Sequence, residues 1–186
     1  PNEKPVHAEL QALRNHAHGF REWCTFFEQN ENYIPAMQFS PQVPEEEAQI
    51  GRLYGMDRGL VVIVERPAFP AMGVIAQRVG DRSRGGEGIC FIIDFGVAGR
   101  DHLQVAALSA GYIDTIRRHA PLSHVALSAS SFPDSFVGLA EQQIYERRLF
   151  DALPIRESLI YSDRGSAKVE RQTGGGGLPA PRIDYP

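Results

Sequence analysis

Three carboxylates fall at the ends of apolar runs: Glu65 after "LVVIV", Asp94 after "ICFII" and Asp163 after "LIYS". Such runs look like strands whose carboxyl ends reach a rim. The carboxyl ends of parallel strands are where α/β proteins bind their ligands. Carboxylates in unequal surroundings can divide the roles of general acid and general base. A cluster of oxygens suits magnesium better than zinc. Glu65, Asp94 and Asp163 are therefore the candidate catalytic residues. The same acids also suit turn or helix caps and arginine pairs, so both readings stay open.

Other strand ends deliver Gln38, Ser40, Ser128, Ser130, Ser131, Ser162 and Arg164. Arg66, Ser130 and Arg164 are the candidate ligand-binding residues. Arg66 could hold an anion beside Glu65, or simply lie solvated where the following Pro67 keeps it extended. The serines of "SASS" lack a Gly-x-Ser-x-Gly elbow and an identifiable His–acid pair. His16 and His18 project about 200 degrees apart on a helix and do not share a metal easily. The histidines His102, His119 and His124 are scattered. "RGGEG" and "GGGG" could offer backbone amides to phosphate, but neither carries a dinucleotide or Walker pattern. The second reads more simply as a linker or chain end. No metal ligand set is assigned, and the sequence selects no cofactor.

The elements that must position these residues follow from periodicity. Leu10, Leu13, Ala17, Phe20, Cys24 and Phe27 form one apolar stripe, which predicts a helix stopped at Asn30 and Asn32. "NYIPAMQFS" reads as a short strand. Pro44 and three glutamates open a helix over "PQVPEEEAQIGRLYGMD". Leu60 to Val64 reads as a strand covered on both faces. "AFPAMGVIAQRVGD" is read as the helix that crosses over to the next strand, with a hairpin through "RPAFP" as the alternative. "ICFIIDFG" is a second buried strand. A long helix follows, capped by Asp101, with Leu103, Ala106, Ala110 and Ile113 on one face and Arg117, Arg118 and His119 in its last turn. "SHVALSASSFP", "VGLAEQQIYERRLFDALP" and "ESLIYSDRG" complete the series as strand, helix and strand.

The alternation gives an α/β fold: βαβ units with a parallel sheet, either doubly wound or part of a TIM-like (β/α) barrel. The expected divisions are an N-terminal helical segment over 1–32, the (β/α) domain over 33–166 and a Gly/Pro-rich extension over 167–186. Five strands are too few to close an eight-stranded barrel, so exposed edges need a cover. A homo-oligomer or a partner chain would provide one.

Composition fits an ordinary globular domain: 186 residues, 42% hydrophobic, net charge −4. Nothing draws the whole molecule to nucleic acid or an anionic membrane. No apolar run is long enough to span a bilayer, and the first residues lack a signal-peptide core. Cys24 and Cys90, the only two cysteines, make no disulfide framework and fit a reducing compartment. A cytoplasmic protein is expected. The missing initial Met points to a processed, trimmed or partial chain.

One resemblance sharpens this. "SSFP", "IYERRLFDAL", "LIYSDRGS" and "PAPRIDYP", together with "GICFIIDFG", resemble the C-terminal region of the beta protein family. That family is named for a phage protein and is spread through bacterial genomes and prophages. Two positions depart from its pattern: Ser162 stands where glycine is usual, and Arg164 where an aromatic is usual. The resemblance implies a TIM-barrel-like fold, a chain that is half a longer protein, and a setting of phage–host conflict. It implies no particular reaction. Two functions follow as expectations: a rim site for a phosphate-bearing or nucleotide ligand, or a non-catalytic module that completes its sheet with a partner.

Overall fold

The most apolar stretches form the middle of one parallel sheet. The computed structural model describes residues 5–132 and 141–163. Strands β1 (Leu60–Glu65), β2 (Ile89–Val97), β3 (His124–Ser130) and β4 (Ile160–Asp163) lie side by side in chain order, every pair parallel. Parallel neighbours need long connections, which removes the hairpin alternative after β1. The helices α4 (Met72–Arg82), α5 (His102–His119) and α6 (Tyr145–Asp151) fill those connections. A short 3-10 turn at Arg66–Ala71 precedes α4.

The strand order never reverses, so the sheet lacks the switch point of a doubly wound fold. Crossovers of one hand then put successive helices on one face, as in consecutive units of a (β/α) barrel. The packing agrees. Val62, Val64, Phe91 and Ile93 are fully buried and belong to the core with Ile75, Val79, Ile113 and Ile116 of α4 and α5. Phe69 packs its ring on Phe95 of β2 and Tyr112 of α5, and Phe150 of α6 packs on Tyr161 of β4.

The other sheet face has no such cover among the described residues. Ile63 stands between two buried valines, yet is 38% exposed. The expectation that β1 is covered on both faces is thus corrected. A continuous apolar run does not reveal that all its crossover helices share one side. The long helix also turns differently from its expected stripe. Its buried residues are Val105, Ala106, Ser109, Ile113 and Ile116, while Leu103 is exposed and Asp101 makes no side-chain cap.

Upstream, the single expected helix is two: α1 (Pro5–Arg14) and α2 (Ala17–Gln29). His18, Gly19 and Phe20 take left-handed backbone angles at the start of α2, which no helical stripe can cross unbroken. Phe20, Cys24 and Phe27 are buried, but Leu10 stays exposed. The expected first strand is a single parallel bridge, Ala36 to Val61, on the outer edge of β1. Trp23 Nε1 ties α2 to that bridge by donating to Ala36 O at 2.7 Å. Helix α3 (Val43–Tyr54) starts with proline in its first turn, as its sequence predicts. The last expected helix begins at Tyr145 among the described residues, after an irregular stretch at 141–144.

Candidate functional site at the carboxyl ends of the strands

The ladder places polar residues in one row. Glu65 stands opposite Asp94, Asp94 opposite Ser128, and Ser128 opposite Ser162. Neighbouring parallel strands run about 4.8 Å apart, and residues in register project to the same face. That face is the one the helices leave open. Two carboxylates and two hydroxyls therefore run side by side across four strands at their carboxyl ends.

The members differ in surroundings. Glu65 is exposed at the edge, whereas Asp94 on a central strand is 5% exposed. One Asp94 oxygen accepts from the Gly96 N–H at 2.9 Å. Gly96 sits at φ 67°, a left-handed angle that favours glycine, where β2 shifts register against β3. The bulge thus aims a backbone N–H at the carboxylate and fixes its orientation. Ser128 is 6% exposed, yet its hydroxyl makes no hydrogen bond among the described residues and is not sealed from solvent. A nearly buried hydroxyl without a protein partner is open to a ligand.

Ser130 lies two residues further along the same face, and its hydroxyl accepts from Phe132 N at 3.2 Å. Ser131 N donates to the Glu146 carboxylate at 2.8 Å, which ties the end of β3 to the first turn of α6. Arg66 leans across the strand ends rather than outward. Its Nε donates to Phe95 O, its Nη2 to Val97 O at 3.1 Å, and its guanidinium lies 5.7 Å from the centre of the Phe95 ring.

Asp163 is not in the row. It pairs with Ala129, one residue past Ser162, and the pleat sends it to the helix-covered face. There it accepts a hydrogen bond from Tyr161. Burial pushes the Tyr161 hydroxyl far above its ordinary range, and the Asp163 carboxylate adds to that shift. The Arg147 guanidinium, 5.2 Å from the Tyr161 ring centre, works the other way. The structure therefore brings Glu65 and Asp94 together and sets Asp163 apart from them. Arg164 and the 167–186 extension lie outside the described residues.

Ser128 was visible as one of several strand-end serines. The signal that singles it out is register with Asp94, which a sequence does not contain. Among the described residues, no three His, Cys, Asp or Glu side chains are grouped to hold a metal ion. None of the described helices is long and apolar enough to cross a membrane.

Comparison with known proteins finds a family. A model of the family described as Beta protein aligns with residues 1–186, the whole chain. No curated protein and no solved structure matches it. Full-length agreement with that family's pattern settles membership: this chain belongs to the Beta protein family.

Proposed function

We propose that the row of Glu65, Asp94, Ser128 and Ser162 is a site for a phosphate-bearing ligand of the nucleotide type. The observation that carries this is the register itself. Four oxygen-bearing side chains on adjacent strands share the open face at the carboxyl end of a parallel sheet. Carboxylates at such strand ends suit sugar hydroxyls, as acidic residues do in dinucleotide folds. The Ser128 and Ser162 hydroxyls donate to phosphate oxygens. Magnesium arriving with the nucleotide needs only one or two protein carboxylates, which Glu65 and Asp94 provide. Phage–host conflict is the setting proposed for such a site, on the family resemblance alone.

Calorimetry on the full chain with ATP, ADP and ribose 5-phosphate, each with and without magnesium, tests the reading. Asp94→Asn and Ser128→Ala should each weaken binding by about tenfold or more while leaving the unfolding midpoint unchanged. Silence from every ligand, or wild-type affinity in Asp94→Asn, would end it.

A second reading rests on a different observation. Ile63 and Ile160 are 38% and 48% exposed on the open face. Apolar residues on an uncovered sheet face favour a module completed by a second copy or a partner chain. Light scattering that shows only a monomer, at all concentrations tried, counts against a second copy.

A further inference from the structure

A cavity of about 320 Å³ opens between the first turns of α3 and α4, away from the sheet row. Phe39, Val43, Ala68, Val74 and Ile75 make its walls apolar. Its polar features are Ser40, Glu46 and Arg78. Glu46 is 3% exposed and both its oxygens are occupied: one accepts from Ser40 N at 2.6 Å, the other from Arg78 Nη1. Arg78 is in the opposite condition. Its side chain is 12% exposed, and that contact with Glu46 is its one ion pair among the described residues. A guanidinium carries five N–H donors. Among the described residues the remaining ones have no partner, and none is sealed away from solvent. The Ser40 hydroxyl accepts from Gln42 N and still has its own proton to give.

Uncommitted donors of Arg78 and Ser40 thus stand among apolar walls. Residues of the first turns of α3 and α4 line it. Glu46 already offsets the Arg78 charge, so a doubly charged phosphate fits poorly and a single negative charge fits well. A volume of this size is at the small end of ligand sites. We propose that this cavity binds a small apolar carboxylic acid, of the short-chain or aromatic kind. Its carboxylate meets Arg78 and Ser40, and its apolar body lies against Val43, Val74 and Ile75. The site is independent of the strand-end row, so either can fail without the other.

The test is methyl NMR on the isotopically labelled full chain, titrated with benzoate and hexanoate. Benzamide, inorganic phosphate and an Asp94→Asn chain serve as controls. Saturable shifts at the Val43, Val74 and Ile75 methyls are expected with both acids. Benzamide and phosphate should bind at least about tenfold more weakly, and Asp94→Asn should bind the acids normally. Ala71→Trp fills the exposed mouth without touching the ion pair. It should keep the fold and abolish the shifts. No saturable shift, equal binding of benzamide or phosphate, or an unaffected Ala71→Trp chain would overturn the proposal.

Discussion

Arg66, at the end of β1, holds the carbonyl oxygens of Phe95 and Val97 on either side of the β2 bulge. That bulge carries the Gly96 N–H that orients Asp94. The arginine that the sequence offered as an anion holder or a solvated side chain therefore has two of its donors committed to backbone. Charged donors to carbonyls are worth more than neutral ones, but this side chain is exposed. Arg66→Ala should cost about 1 kcal/mol in urea unfolding. Arg66→Lys should recover only part, because an ammonium cannot span two carbonyls as a planar fork does.

Helices α4 and α5 meet at a glycine. A Cβ on Gly80 would fall 2.1 Å from His119 O, a backbone atom that cannot swing away. Gly80→Ala should lower stability by about 2–4 kcal/mol despite alanine's better helix propensity. Gly51 in α3 is the control, with nothing within 4 Å of its added Cβ. Gly51→Ala should raise stability by about 0.5–1 kcal/mol. Equal effects at the two positions would contradict the helix packing described above.

Glu46 and Arg78 make an ion pair whose side chains are 4% and 12% exposed. Removing one partner strands the other charge. Glu46→Gln should therefore cost about 3–5 kcal/mol, read from chemical unfolding. The double change Glu46→Leu with Arg78→Met should recover much of that loss, since a well-packed apolar pair avoids the desolvation penalty.

Cys24 is fully buried, and burial raises its thiol from 9.0 to about 11; nearby Arg52 opposes the shift and Glu28 reinforces it. The native state thus keeps the proton that the unfolded state gives up. Its contribution is complete below pH 9 and is lost as pH rises from 9 to about 11. The loss should reach about 2 kcal/mol if this thiol acts alone. Cys24→Ala should flatten that part of the pH–stability profile. A thiol reagent at pH 8 should label Cys24 only in denaturant; rapid labelling of the native chain would show that the burial is wrong.

Much of the scaffold was legible because it is local. The short, β-branched apolar runs at Leu60–Val64 and Ile89–Ile93, bounded by turn residues, read as strands, and Pro44 with its glutamates reads as a helix start. Alternation of the two gives the parallel sheet. The N-terminal stripe misled because periodicity does not register a backbone reversal at His18, Gly19 and Phe20. The site was half legible. Glu65 and Asp94 end their strands in sequence and stand together in space. Asp163 also ends its strand, but sits one residue out of step, and in a pleated sheet one residue reverses the face.

The sequence alone thus determined the four strands of the sheet and most of its helices, and that acids end three of those strands, because these follow from contacts a few residues apart. The tertiary structure decided the rest. It set which acids share a face, brought Ser128 into register beside Asp94, and joined Glu46 to Arg78 across 32 residues. Those relationships depend on strand register and helix packing, which no short stretch of chain carries.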